Sequence, residues 1–518
     1  MSTAPWWRDA VCYEVYVRSF ADSDGDGMGD LPGITSRLPY LAELGVDALW
    51  ITPFYPSPQH DHGYDVADYR DVEPTYGTLA DFDTLAARAH ELGLRVIVDI
   101  VPNHTSWDHP WFRAALAGDE AARERYVFRP GRGAHGEEPP NNWLAMFGGG
   151  AWERVEDGSW YLHLFDRSQP DLNWLNPEVH ADFERTLRFW LDRGADGFRI
   201  DVAHALIKQD GLPDVDDPPA YIDGTAPGGP MWDRPEVHEI YREWHRVLAE
   251  YPGERMAVGE AWAPTPESTA RFVRHDELQQ TFNFHWLVAD YSAAAFRKVV
   301  DDTLDTLRPV GASATWVLGN HDVVRPPTRY GGGERGVART RAATLLMLAL
   351  PGSAYLYQGE ELGLEQVDVP EAARQDPDFL NGRGPGRDGC RVPIPWSGEA
   401  PPYGFGPGAG QPWLPQPADW AERSVEAEQA DPASTLAFYT GALALRRRRI
   451  AEGWAEDREI EWLDLGADVL AFRRGEVTVL MNFGTAAVPV PDGEVLLASG
   501  LVEDAVPTDT AVWVSRAR

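Results

Sequence analysis

Two cysteines, Cys12 and Cys390, are all that this chain of 518 residues contains. Two cannot build a disulfide framework, and they fall short of a structural zinc site. Basic residues are also scarce: 46 Lys and Arg stand against 82 Asp and Glu, a net charge of −36. A surface of that sign repels phosphate backbones and anionic lipid, so neither nucleic acid nor a membrane is an expected partner. Long apolar runs are missing, and the best candidate, around Leu345 to Leu350, is far too short to span a bilayer. The opening MSTAPWWRDAVCYE lacks the charged and then apolar segments of a secretory leader. A reducing, cytoplasmic setting is expected; oligomeric state is left open.

What recurs is an amphipathic helix, a glycine, then a short apolar strand. YLAELGVDALWITP, LAARAHELGLRVIVDIVPNH and TLRFWLDRGADGFRIDVAH all follow it. Gly45, Gly93 and Gly194 stand where a helix end needs a left-handed residue. Further strands are expected near 11–20, 255–262, 280–284, 315–322 and 353–361. Eight such units over some 440 residues predict an α/β fold, a (β/α)8 TIM barrel. Residues 1–104 and 174–450 are assigned to it. The aromatic, Gly/Pro-rich stretch 105–173 is read as an inserted lobe after strand three. Residues 451–518 alternate as short strands and read as a C-terminal β-sandwich. Pro and Gly are dense from about 363 to 432, where a long ordered loop is expected after strand eight. Arg446 to Arg449 close the last barrel helix and are read as a solvated helix end.

In GFRIDVAH, an arginine and an aspartate lie two residues apart in a strand that should be buried. In a parallel barrel, polar groups gather at the C-terminal strand ends. Asp65, His104, Arg199, Asp201, Glu260, His321 and Asp322 fall there, and all are expected to face one mouth. Several carboxylates beside an arginine suit cleavage of a glycosidic bond, which needs one ionised and one protonated carboxyl. Arg199 is expected to keep Asp201 ionised, as a nucleophile requires. Glu260, between the apolar Val258 and Trp262, is the expected general acid. GPGRDG fits a dinucleotide fingerprint in letters only, since it neither follows a strand nor opens a helix. His60 and His62 are read as polar residues at the pocket rim.

With VDIVPNH upstream, GFRIDVAH, GEAW and GNHD in that order resemble the signature regions of the α-amylase superfamily, glycoside hydrolase family 13. QPDLNW at 169–174 and DHGYDVADYRDVEPTYGT are similar to the α-glucosidase and oligo-1,6-glucosidase branch. The resemblance covers nearly the whole chain. It implies Asp201 as nucleophile, Glu260 as acid/base and Asp322 as the carboxylate that binds sugar hydroxyls and helps distort the ring. It implies Asp65, His104, Arg199 and His321 as holders of the terminal glucose, with Tyr64 stacked on it. An arginine of GRDGCRVPIPW, Arg387 ahead of Arg391, is implied as a further contact.

DSDGDGMGD places Asp22, Asp24, Asp26 and Asp30 at EF-hand-like positions, with Gly27 sixth. Gly33 stands where that motif needs Glu, so the loop is no EF-hand. Four clustered carboxylates call for a cation. The family resemblance implies Ca²⁺, with the carbonyl of Met28 as a further ligand; Mg²⁺ is the alternative.

The implied activity is a retaining exo-α-glucosidase on maltose and short malto-oligosaccharides, through a covalent glucosyl-enzyme. The partner is then a small α-glucoside. Val202 after the nucleophile argues for α-1,6 linkages, whereas DVAH with a GRDGCR-type loop resembles α-1,4 maltases, and α-1,4 is favoured. The alternatives are an oligo-1,6-glucosidase and a glucosyl-transferring or isomerising relative such as a trehalose synthase, although RVPIPW departs from the usual RTPMQW of trehalose synthases.

Overall fold

A computed structural model describes residues 4–222, 228–408 and 410–516. Eight parallel strands make the barrel: Val11–Val15, Ala48–Ile51, Arg95–Ile100, Gly197–Ile200, Met256–Gly259, Gln280–Thr281, Thr315–Val317 and Ser353–Tyr357. They are ordered seven, eight, one, two, three, four, five, six. The seam between six and seven is crossed by the Asn283 amide, which donates to the Thr315 carbonyl at 3.0 Å. The expected barrel is therefore present, with strands shorter than the apolar text around them. The reason shows in strand four. Beyond Ile200 the Asp201 amide still bonds the Ile100 carbonyl, but Val202 turns left-handed, with φ 45°.

The helices read as expected. Pro177–Asp192 buries Val179, Phe183, Leu187, Trp190 and Leu191, a stripe of helical period against the sheet. Gly45 (φ 99°) and Gly194 (φ 105°) follow the first and third of the quoted helices in the left-handed region, where a side chain would be strained.

After strand three the chain leaves the barrel. Helices Pro110–Leu116 and Glu120–Glu124 precede a three-stranded antiparallel sheet of Phe128–Pro130, Ser159–Leu162 and Trp152–Arg154. Trp143, Trp152, Leu162 and Leu164 cluster there with Val202 and Ala205 from the turn after strand four. This packing seats the lobe over the mouth. At the C-terminus, Glu461–Leu463, Val469–Arg474, Val477–Asn482, Thr510–Ser515 and Glu494–Ala498 form a five-stranded antiparallel sheet, with Val488–Pro489 pairing Ala505–Val506 beside it. The sheet docks on helix Gly333–Ala349, whose Leu345 carbonyl accepts from Trp513 Nε1 at 2.9 Å.

The last barrel helix departs from the expected solvated end at Arg446. Arg446 is not solvated: it is 1 % exposed and donates to the carbonyls of Leu348, Gly352 and Asp9. Helix Gly333–Ala349 ends beside it, and the free carbonyls of a buried helix end require donors. Among the described residues no helix is long and apolar enough to cross a membrane.

Candidate active site

The centre of the mouth is the guanidinium of Arg199, 2 % exposed. Its Nη1 donates to Asp201 Oδ1 at 2.6 Å and to both Asp99 oxygens at 3.1 and 3.2 Å. Its Nη2 donates to Glu260 Oε2 at 2.7 Å. Barrel register explains the Asp99 contact, because Asp99 sits directly opposite Arg199 on the neighbouring strand. Glu260 gains two more donors, the Val202 amide at 3.0 Å and Trp262 Nε1 at 3.2 Å. The left-handed Val202 aims that amide. Such a conformation costs a β-branched residue about 1–3 kcal/mol and is found where function over-determines the backbone.

One cation thus serves three carboxyls: Arg199 pulls the pKa of Asp201 down as expected, but the net shift is upward and not the expected depression. Burial raises Asp201 against the pull of Arg199, and nearby Glu260 and Asp99 raise it further. Burial likewise raises Asp99 to about 7, against Arg199. With a single guanidinium among three carboxyls in a desolvated cluster, ionising all of them at once is disfavoured.

Asp322 lies on the other wall. Its Oδ1 accepts from Arg387 Nη1 at 3.0 Å and Arg391 Nη2 at 2.9 Å. His321 Nε2 is 3.3 Å from its Oδ2. Burial opposes ionisation, yet His321 and the guanidinium groups of Arg387, Arg391 and Arg199 hold Asp322 well below the usual carboxylate range. Burial lowers the pKa of His321 itself. Tyr64 stacks on the His321 ring, with centroids 5.3 Å apart and planes 13° apart. The Tyr64 hydroxyl donates to Asp99 Oδ2 at 3.1 Å.

Asp65 is the residue misplaced by sequence reasoning. It is buried, but its oxygens accept from Ser57 Oγ and the amides of His60 and Asp61 at 2.9–3.0 Å. It pins the loop rather than facing the mouth. The mouth carboxylate of this loop is Asp61, which accepts from Arg387 Nη2 at 2.8 Å and Gln169 Nε2 at 3.0 Å. Burial lifts Asp61 to about 6, against Arg387 and Arg391. Asp376 completes the lattice, accepting from Arg387 Nε at 2.7 Å. Both arginines of the GRDGCR stretch therefore reach Asp322. His62 is buried beside Arg391 Nη1, at 3.3 Å, while His60 stays exposed.

His104 donates from Nε2 to the Tyr64 carbonyl at 3.2 Å, and burial lowers it to about 4. Behind it, Lys208 Nζ bridges Asp171 Oδ2 at 2.7 Å and Asn103 Oδ1 at 2.8 Å. This buried ammonium ties the base of the lobe to the loop after strand four.

Sequence reasoning missed Asp61, Asp99, Asp376 and Glu14, the last a buried carboxyl in the first strand hydrogen-bonded to His321 Nδ1. Glu14 and Asp99 carry the signal that flagged Arg199, a charge inside a buried apolar strand. Asp61 and Asp376 lie in loops and carry none.

In the DSDGDGMGD loop, oxygens of Asp22, Asp24 and Asp30 converge within 4.8 Å of one another. Asp26 is not of that group; its Oδ1 accepts the Met28 amide at 2.7 Å. The loop is pinned from above: the Trp413 amide donates to the Gly27 carbonyl at 3.0 Å, and the Asp22 amide to that of Phe405 at 2.9 Å. Three converging carboxylates with no guanidinium or ammonium paired to them, among the described residues, fit a hard cation.

The chain matches the model for "Alpha amylase, catalytic domain" over residues 14–453. An oligo-1,6-glucosidase of Parageobacillus thermoglucosidasius is 38 % identical over 483 residues, covering 86 % of this chain and 84 % of that protein. A trehalose-6-phosphate hydrolase of Escherichia coli (strain K12) is 37 % identical over 494 residues, covering 88 % and 86 %. The crystal structure of the alpha-glucosyl transfer enzyme XgtA superposes with a TM-score of 0.90 at 37 % identity, over 99 % of this chain and 100 % of that one. With its eight-stranded barrel, lobe and C-terminal sheet, the chain belongs to the α-amylase family, glycoside hydrolase family 13, and is a glycosidase of that family.

Proposed function

We propose that this glycosidase is a retaining, exo-acting α-glucosidase that releases glucose from maltose and short malto-oligosaccharides. The observation that carries the reading is the single guanidinium shared by Asp201 and Glu260. It supports a short carboxyl separation, as retention requires; in retaining enzymes this is about 5–5.5 Å.

Asp201 attacks the anomeric carbon as Glu260 passes a proton to the glycosidic oxygen. The aglycone leaves and a glucosyl ester remains on Asp201. Glu260, now ionised, takes a proton from water, whose oxygen attacks the same carbon and frees glucose and Asp201. The Val202 amide, Trp262 Nε1 and Arg199 Nη2 hold the Glu260 carboxyl in place for both steps. Asp322 and His321 hold ring hydroxyls, and Tyr64 offers a flat face. The Asp61–Arg387 pair joins the loops after strands two and eight. It supports a pocket closed at one end, suited to chain termini.

Among the described residues, six carboxyls (Asp61, Asp99, Asp201, Glu260, Asp322, Asp376) pair there with three guanidinium groups, those of Arg199, Arg387 and Arg391. Excess negative charge disfavours a phosphorylated sugar, so the substrate is read as neutral despite the trehalose-6-phosphate hydrolase among the relatives. We further propose a structural Ca²⁺, or Mg²⁺ in its place, held by Asp22, Asp24 and Asp30, with Asp26 and the Met28 carbonyl alongside.

A transfer reading is favoured by one feature. Trp262 is 43 % exposed beside Glu260 and stacks on Phe284 at 4.0 Å, leaving ring surface for an acceptor. Product analysis on maltose, isomaltose, trehalose and sucrose tests all of this. Glucose from maltose is expected. Faster turnover of isomaltose would reverse the linkage, and trehalose formed from maltose would move the enzyme to the isomerising relatives.

A further inference from the structure

Glu14 is a buried carboxyl that the proposed reaction does not use. It sits in the first barrel strand, 2 % exposed, and among the described residues it has no guanidinium or ammonium in ion-pair contact. Its Oε1 is hydrogen-bonded to His321 Nδ1. The other nitrogen of that ring faces Asp322, Nε2 lying 3.3 Å from Oδ2.

Proton counting settles what this contact does. Asp322 already accepts from two arginines, so it is a carboxylate with no proton to give. A carboxylate oxygen 3.3 Å from Nε2 favours hydrogen there over a bare lone pair. Nδ1 then either accepts a hydrogen bond from a neutral Glu14 or donates one to an ionised Glu14. Both descriptions hold the same protons on the Glu14–His321 pair, and both leave Nε2–H toward Asp322. The remaining arrangement, with hydrogen on Nδ1 alone, sets a bare lone pair against Asp322. It also leaves Glu14 as a buried anion, opposed by burial and by the nearby acids Asp322 and Asp99 against the pull of Arg199.

The ring has little other freedom. Tyr16 and Tyr64 both stack on it, at 5.5 and 5.3 Å. The His321 carbonyl is taken by Arg391 Nε at 2.8 Å and Cys390 Sγ at 3.1 Å. Orientation is thus fixed by packing, and the choice of tautomer falls to Glu14. A histidine's working nitrogen is set by the bond its other nitrogen makes.

We propose that Glu14 is a positioning residue that holds His321 with its Nε2 hydrogen facing Asp322 and the sugar side of the pocket. The donor so presented serves the bound sugar's hydroxyls, and in that respect the inference rests on the glycosidase reading above. The test uses the whole chain with ¹⁵N-labelled histidine, the His321 signals being identified by their loss in His321→Asn. Wild type and Glu14→Gln should show hydrogen on Nε2, since a glutamine amide can donate to Nδ1. Glu14→Leu should move hydrogen to Nδ1 or mix the two tautomers. On maltose, Glu14→Leu should lose about 10–100-fold in kcat/KM, with Glu14→Gln within about threefold of wild type, as for other partners that orient a histidine. An Nε2 without hydrogen in the wild type overturns the proposal. So does wild-type kcat/KM in Glu14→Leu, or equal loss in both variants. Should Glu14→Leu fail to fold, the wild-type and Glu14→Gln spectra still decide. An enzyme inactive on every glucoside would refute the functional reading, while the nitrogen spectra would still judge Glu14.

Discussion

Removing the guanidinium of Arg387 should damage the enzyme more than removing the carboxylate it holds at Asp61. Arg387 reaches three acids: Asp61 at 2.8 Å, Asp322 at 3.0 Å and Asp376 at 2.7 Å. Truncation to alanine leaves them unequal. Asp322 keeps Arg391 at 2.9 Å, and Asp376 keeps it at 3.4 Å. Asp61 keeps no ion-pair partner, only the more distant Arg391, and its carboxyl, already lifted to about 6 by burial, would shift further toward the protonated form. Breaking a buried charge pair from one side costs about 3–5 kcal/mol. Arg387 is 17 % exposed, so the lower end applies. If about 3 kcal/mol falls on the substrate-bound state, Arg387→Ala loses on the order of 100-fold in kcat/KM. Asp61→Ala leaves Arg387 with two partners and should lose only about tenfold, roughly 1.4 kcal/mol. The double variant should nearly match Arg387→Ala alone, because Asp61 then keeps no ion-pair partner, only Gln169. Steady-state kinetics on maltose measure all four proteins. Longer malto-oligosaccharides report whether internal bonds become accessible once the closed end is opened. The reasoning fails if Asp61→Ala is the worse variant, or if the two losses simply multiply.

Asp201→Asn should lower kcat on maltose by about 10⁴-fold or more with an unchanged circular dichroism spectrum; wild-type turnover would sink the mechanism. Burial raises Glu360 to about 7, above its unfolded value, so the native state holds this proton more tightly than the unfolded chain. Its contribution is therefore present below about pH 4 and is lost as pH rises toward 7. Melting temperature should fall from pH 5 to 8, less steeply in Glu360→Gln, and parallel curves for the two proteins would contradict this. Millimolar Ca²⁺ should raise the melting temperature of the wild type by mass action and leave Asp22→Asn unmoved. Equal responses in both would remove the proposed ion from the Asp22 loop.

Periodicity and breakers carried the barrel. The helix–glycine–strand pattern needs only local stereochemistry, so Gly45 and Gly194 could be read directly as left-handed helix ends. Arg199, Asp201, Glu260 and Asp322 could be read as well, because a charge in or just beyond an apolar strand contradicts its surroundings. That same contradiction marks Asp99 and Glu14, and it was overlooked. Asp65 and Asp61 were confused because both are acids in one loop, and nothing in DHGYD says which faces outward. Arg446 was misread because four consecutive arginines look alike until a neighbouring helix end selects one.

By itself, then, the sequence determined the element order, the eight-fold repeat and the set of strand-end acids, all of which follow from interactions within a few residues. The tertiary structure alone decided how charge is shared. Arg199 faces Asp99 across 100 positions of chain, and Arg387 faces Asp61 across 326. Such pairings arise only when barrel register and loop packing bring distant strand ends together in a desolvated mouth, where each charge must find a partner or keep its proton.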